Sequence, residues 1–355
     1  MSEDVYILGA GFSKAIHGAM PLMFDLSRAV SGQFPDLPAW TLDFDGDLER
    51  LLTFLADPQP FLTEPELLSN RAHFLQLAGG LTDEIRRAQA EALAAAMPTW
   101  LHRLVRSWAA DRATVITLNY DWLVEAAYEA ITFVPYGEGG VSTVDDNYVE
   151  WNQLYATPIP SLDSLSGAVL SGETVDTFRL LKLHGSLNWC YSGATDPRGE
   201  VIYDAGISRW SRLGKPIRRE PLDMGRAGKV PLIAPPTTSK NSYLNHELMK
   251  LQWREALRAL RRAERVVTIG YSLPPGDQLM SDLLLLGAAR GTFVVVNPAE
   301  EACDRLKGRL PNAADVSWVS SAKHFVDSNV PTSIEPLVLR SQSDPGRGPS
   351  FVVAT

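Results

Sequence analysis

Short apolar runs of about four residues recur along this chain. Each is closed by glycine, proline or a small polar residue, and longer stretches of helical spacing separate them. The runs predict buried strands: Val5 to Leu8, Ala113 to Thr117, Leu180 to Leu183, Val230 to Ala234, Arg265 to Ile269, Phe293 to Val296 and a last one at Val316 to Val319. Near-continuous apolar strands alternating with helices predict an α/β fold, Rossmann-like, with a mostly parallel sheet flanked by helices. The segment Leu180 to Trp189 (LLKLHGSLNW) is the centre of the pattern, an apolar run with one lysine that is expected to stop at His184-Gly185-Ser186.

Between these runs, Pro21 to Val30 continues the first crossover, and residues 31–110 predict a helical insertion without strands. Leu48, Leu51, Leu52 and Leu55 mark one helix face, and Pro58, Pro60 and Pro65 are expected to break the chain after it. Leu81 to Met97 is alanine-rich and helical, with Pro98 as its stop and Thr99 as cap of a helix carrying Trp100, Leu104 and Trp108. Trp122 to Ala130, Tyr243 to Glu264 and Gln278 to Ala289 are the later helices. In the second, Met249, Trp253, Ala256, Leu260 and Ala263 predict core packing, while Arg254, Arg258 and Arg261 predict a solvated face. Residues 133–172, with Gly137, Gly139 and Gly140, are irregular. So is 190–229, whose Arg209, Arg212, Lys215, Arg218, Arg219, Arg226 and Lys229 are expected to be a solvated surface. The expected organisation is one domain over 1–330 and a mobile tail over 331–355, where Ser341 to Ser350 is rich in Ser, Gly and Pro.

Composition narrows the function. In 355 residues, 45% hydrophobic and 21% charged content is enough for a sizeable core, and a formal net charge of −9 argues against general nucleic-acid binding. No apolar run reaches membrane-span length and no signal-like N-terminus is apparent, so a cytoplasmic protein with no membrane association is expected. The two cysteines, Cys190 and Cys303, cannot make a four-thiolate zinc site, and no metal is expected.

The chemistry lies just past the strands: Gly9, Ala10, Gly11 and Ser13 after the first, Asn119 and Asp121 after the second, then His184, Gly270 with Ser272, and Asn297. Taken singly, each has an ordinary explanation. The glycines make a strand-to-helix turn, with Lys14 standing where the dinucleotide fingerprint wants a third glycine. Asn119 and Asp121 are turn residues, Asp121 a helix cap. If the strands are parallel, however, all five ends meet at one sheet edge, where open α/β sheets bind dinucleotides. There the glycines would face phosphates, and Asn119 and His184 would be the reacting pair.

GAGFS with the later Pro21, TLNYD, KLHGS, GYS and VVVN, in that order, resemble the blocks of the sirtuin superfamily, and more closely its bacterial NAD-hydrolysing branch, which acts in anti-phage defence. The resemblance runs from Val5 to about Asn297. It implies that Gly9, Ala10, Gly11 and Ser13 hold the NAD phosphates and nearby ribose, that Asn119 positions the nicotinamide ribose and attacking water, and that Asp121 helps hold the nicotinamide end. It implies His184 as acid/base, Gly270 and Ser272 on the phosphate side, and Asn297 at the adenosine ribose. Departures demote protein deacylation: Ala194 to Lys229 lacks the four zinc cysteines, and Leu118 replaces a glutamine. The expected activity is therefore NAD+ glycohydrolysis, with NAD as substrate. A homo-oligomer is implied, and a trigger supplied by a partner such as an ATPase, an Argonaute or a phage-sensing protein. Deacylation or ADP-ribosyl transfer, and a non-catalytic module sensing NAD or ADP-ribose, are the competing readings.

Overall fold

A computed structural model describes residues 4–34, 41, 44, 47–132, 154–162, 177–193, 198–208, 210, 224–225, 227–237, 241–288, 290–332, 337–339 and 352–354. The main sheet is built from β1 (Asp4–Leu8), β2 (Thr114–Thr117), β3 (Arg179–Lys182), β7 (Arg265–Ile269), β8 (Thr292–Val296) and β9 (Asp315–Val319). All its pairings are parallel, in the order β3-β2-β1-β7-β8-β9. Renumbered within the sheet this is 3-2-1-4-5-6, the Rossmann order, so the strand order reverses between β1 and β7. The expected fold class is thus what the chain adopts.

Period-two alternation explains the layering. Tyr6 and Leu8 of β1, Val115, Leu180 and Val267 enter one apolar cluster, while Val5, Ile7, Ile116, Leu181 and Val266 enter the other. The first cluster receives α1 (Ala10–Ile16), α5 (Thr99–Asp111), α6 (Leu123–Thr132) and α11 (Ala322–Asn329); the second receives α8 (Glu247–Arg262), α9 (Gln278–Ala288) and α10 (Glu301–Arg309). The fully buried Trp108 anchors α5, its ring 5.4 Å from Tyr6 and 5.8 Å from Phe178.

Helices fill the stretch from β1 to β2: α2 (Met23–Gln33), α3 (Leu48–Ala56), α4 (Glu64–Ala94) and α5. Several details differ from expectation. Pro65 does not break the chain; it sits in the first turn of α4, where a missing N–H costs nothing, behind a capping box between Thr63 and Glu66. The alanine-rich segment is the second half of this 31-residue helix, which ends at Ala94 before Pro98 is reached. Pro98 rather than Thr99 occupies the cap of α5, and α5 is the crossover helix on the sheet, not part of a separate module. Tyr243 to Glu264 is interrupted: α7 (Asn241–Leu244) ends, and His246 caps α8 by accepting the Leu248 N–H at Nδ1, 3.1 Å. Arg254, Arg258 and Arg261 are exposed, as the spacing predicts.

The apolar run through His184 does not stop either. After a two-residue turn the chain enters β4 (Gly185–Tyr191), which pairs antiparallel with β5 (Tyr203–Asp204) and β6 (Val230–Ile233) in a second sheet. Gly185, at φ +80°, is required there, because a Cβ would lie 2.1 Å from the Leu232 carbonyl oxygen. β6 therefore belongs to this small sheet and not to the parallel one. Helix α4 runs alongside the segment: Arg86 Nη2 reaches the Met224 sulfur at 3.5 Å, and Trp210 Nε1 donates to the Ala95 carbonyl just beyond the helix at 2.9 Å. Residues 133–153 and 163–176, and all the basic residues of 190–229 named above except Arg198 and Lys229, lie outside the described residues, as does Ser341 to Ser350. On either side of the last, β10 (Leu337–Leu339) and β11 (Val352–Ala354) pair antiparallel. Among the described residues no helix is long and apolar enough to cross a membrane.

Candidate functional site

Parallel pairing brings the five predicted strand ends to one edge, in the spatial order His184, Asn119/Asp121, Gly9–Ser13, Gly270/Ser272, Asn297. Four strand gaps separate its ends, about 19 Å at the usual strand spacing.

Asn119 is the most constrained member. Its Nδ2 donates to the Gly9 carbonyl oxygen at 2.9 Å and to Ser13 Oγ at 2.9 Å. Ser13 Oγ in turn donates to Asp121 Oδ2 at 2.7 Å, and Asp121 Oδ1 accepts the Leu123 N–H at 3.2 Å. The polarity of this relay fixes which amide atom is which: both amide hydrogens are spent inward, and Oδ1 is left without a protein partner. Asp121 and Ser13 are buried, and Asn119 is half-buried at the rim. Asp121 is thus both the predicted cap and part of the site. Both of its carboxylate oxygens are occupied by the protein, so it acts through Ser13 and Asn119.

The glycines serve a purpose other than the one the sequence implies. Gly270, at φ +63°, packs face to face on the first turn: a Cβ there would lie 2.1 Å from the Phe12 nitrogen, and one on Gly11 would lie 2.8 Å from the Gly270 Cα. Gly11 N–H donates to the Gly270 carbonyl at 3.0 Å and Gly9 N–H to Ile269 at 3.1 Å. These glycines therefore lock two strand ends together. Of the donors expected to face a phosphate, the Gly11 and Phe12 N–H groups are already bonded. The N–H of Ala10, the exposed first residue of α1, has no acceptor among the described residues.

His184 is buried at the turn after β3, with ring centroids of Tyr120 and Trp253 at 6.3 and 6.4 Å. Its carbonyl accepts the Ala234 N–H at 2.9 Å. Trp253 Nε1 holds the Leu183 carbonyl at 3.0 Å, and Tyr120 Oη donates to the Ala234 carbonyl at 2.7 Å. Burial and the Glu49 and Asp277 carboxylates push the Tyr120 phenol well above its usual pKa, so it remains a donor. At the far end, Asn297 Oδ1 accepts the Ala299 N–H at 3.0 Å, leaving its Nδ2 for any ligand, and the Ser272 carbonyl accepts Arg305 Nε at 2.8 Å.

Beneath the site lies a buried polar network that motif reading missed. The Lys182 ammonium, wholly buried, donates to Glu125 at 2.9 Å and to the Asp121 carbonyl at 2.6 Å. Glu125 also accepts Tyr155 Oη at 3.0 Å; Asn188 Nδ2 bonds Tyr155 Oη and Asp204 Oδ1, each at 3.0 Å. The network ties the Asn119–Asp121 loop to β4. Its one sequence signal was a lysine inside an apolar strand, a residue type rarely buried unless paired.

No family model matches the sequence, and no curated protein matches it. Among solved structures the chain is similar to a Sir2 homologue mutant in complex with ADP-ribose, at 16% identity over 92% of this chain and 90% of that chain, with a TM-score of 0.41. It is similar to a structure addressing sirtuin substrate affinity, at 17% identity over 92% of each chain and a TM-score of 0.38. A third is Sir2 with an inhibitor, 2′-O-acetyl-ADP-ribose and a deacetylated peptide, at 16% identity over 92% and 91% and a TM-score of 0.36. Likeness this distant carries nothing about activity, which is argued from the site alone.

Proposed function

We propose that this edge binds NAD+ and hydrolyses its nicotinamide–ribose bond, giving nicotinamide and ADP-ribose. The observation that carries the reading is the Asn119 carboxamide, locked by two inward hydrogen bonds so that its Oδ1 is presented beside His184 at the C-terminal edge of a Rossmann-ordered sheet. Breaking the C–N bond leaves positive, oxocarbenium-like charge on the ribose, and nicotinamide departs with the electron pair. A water oxygen then bonds to that carbon and releases a proton. A fixed carbonyl oxygen suits this step: it accepts from the water or a ribose hydroxyl and supports the positive charge without itself titrating. The His184 imidazole takes the proton relay to or from the ribose hydroxyls or the water. The edge is long enough for an extended dinucleotide, with Ala10 N–H on the phosphate side, together with Ser272, and Asn297 Nδ2 at the adenosine end. Asp121 is a positioning residue. No step in this chemistry calls for a metal.

In the cell this activity is read as triggered NAD depletion in anti-phage defence, with a partner protein supplying the trigger. The test is NAD+ consumption by purified protein, alone and with the proteins encoded beside it, with products identified by mass spectrometry. Free ADP-ribose and nicotinamide are expected, and His184→Ala or Asn119→Ala is expected to abolish turnover with the fold intact. Wild-type turnover in either variant overturns the residue assignment. O-acyl-ADP-ribose or a labelled protein would instead mean acyl removal or ADP-ribosyl transfer. Tight NAD binding without turnover under any trigger would mean a sensing module.

A further inference from the structure

We propose that the outer face of α4 is a self-association surface, on which the same face of a second copy packs antiparallel about a two-fold axis. Helix α4 is apolar on two opposite faces. Its inner face carries Asn70, Phe74, Leu77, Leu81, Ile85, Ala88 and Ala92, all buried against the rest of the chain. Its outer face carries Pro65, Leu68, Ala72, Leu75 and Gly79, with Phe61 in the turn just before the helix, and all six are exposed. Phe61, Leu68 and Leu75 are 72%, 70% and 55% exposed. A solvated helix face does not need apolar residues alternating every four and three positions; that is the spacing of a helix–helix seam.

The sizes along the seam indicate the partner. About a two-fold axis at residue 70, each large side chain meets a small or compact one: Phe61 faces Gly79, Leu68 faces Ala72, and Leu75 faces Pro65. Gly79 offers open space, with nothing within 4 Å of where its Cβ would be. A parallel pairing would instead set Leu68 on Leu68 and Gly79 on Gly79, overfilling one level and leaving a void at another. The flanking positions carry no like charges opposite each other: Glu64 faces Gln76, and Ser69 faces Arg71. Three large exposed side chains present on the order of 400 Å² per copy, and with the flanks the pair buries about 1,000 Å², the lower bound for a specific interface. Self-association in about the micromolar range follows. This inference does not depend on the NAD reading.

The test is the mass of the full chain in solution by analytical ultracentrifugation, from about 1 to 200 µM, with cysteine cross-linking to fix the orientation. Twice the chain mass is expected at the upper end. Leu68→Glu with Leu75→Glu is expected to shift the midpoint at least tenfold upward in concentration while leaving the circular dichroism spectrum and melting temperature near wild type, since both side chains face outward. Leu68→Cys with Ala72→Cys is expected to form an intermolecular disulfide readily, because the native Cys190 and Cys303 are buried and contribute little background. Gly79→Cys alone is not, since two copies of residue 79 would lie about 27 Å apart along the helices. A monomer throughout, an oligomer insensitive to the double glutamate variant, no disulfide in the paired-cysteine variant, or ready cross-linking of Gly79→Cys alone would each overturn the proposal.

Discussion

Replacing Asn119 by aspartate keeps the shape of the side chain and reverses the hydrogen-bond logic around it. In the native protein Nδ2 donates at 2.9 Å to the Gly9 carbonyl and at 2.9 Å to Ser13 Oγ, while the single Ser13 hydroxyl proton goes to Asp121. An ionised carboxylate at position 119 has no hydrogen to give. It sets an acceptor against the Gly9 carbonyl and competes with Asp121 for the one proton of Ser13. Two lost hydrogen bonds at about 1 kcal/mol each, with about 1 kcal/mol more for the acceptor left facing a carbonyl, give a loss of roughly 3 kcal/mol when the new group is charged. Protonation restores one donor, so the penalty falls mainly on the ionised form. That raises the new carboxyl's folded pKa by about 2 units, from roughly 3.9 towards 6. A folded pKa above the unfolded one means the native state binds more protons between those values, so stability relative to wild type is better retained below about pH 4 and lost as pH rises through about 6. Urea unfolding of both proteins at about pH 4.5, 5.5, 6.5 and 7.5 measures this. A stability gap that widens with pH to about 3 kcal/mol is expected. A variant as stable as wild type at neutral pH, or a gap that does not change with pH, would refute the assignment of the amide donors.

Two further substitutions probe the scaffold. Gly270→Ala must accept φ +63° and a Cβ only 2.1 Å from the Phe12 nitrogen, so a loss of about 2–5 kcal/mol in chemical denaturation is expected from strain and overpacking together; a loss below about 0.5 kcal/mol would show that the two turns are not locked. Lys182→Met leaves Glu125 buried without its cation and is expected to cost about 3–5 kcal/mol. Adding Glu125→Gln, which can still accept from Tyr155, is expected to recover part of that loss, and strictly additive effects in the double-mutant cycle would rule out coupling between the pair.

The sequence by itself determined the strands, and with them the class of fold. Val5 to Leu8, Arg265 to Ile269 and Phe293 to Val296 are short, apolar and closed by glycine or Asx, a pattern that compels buried parallel strands whatever surrounds them. It also placed Asn119 and His184 at strand ends, because those positions are fixed by local spacing. Helix limits were less legible at α4, where an early proline reads as a breaker until the first turn is seen to tolerate it. Only the tertiary structure decided which groups each residue meets. The strand order 3-2-1-4-5-6 arises from long-range pairing, and it alone puts Ser13 within reach of Asn119, 106 positions away. Packing of one turn on another made Gly11 and Gly270 partners of each other, and burial turned Lys182 from an oddity in an apolar run into the cation beneath the site. These outcomes depend on contacts between segments far apart in the chain, which no local pattern of hydrophobic and polar residues encodes.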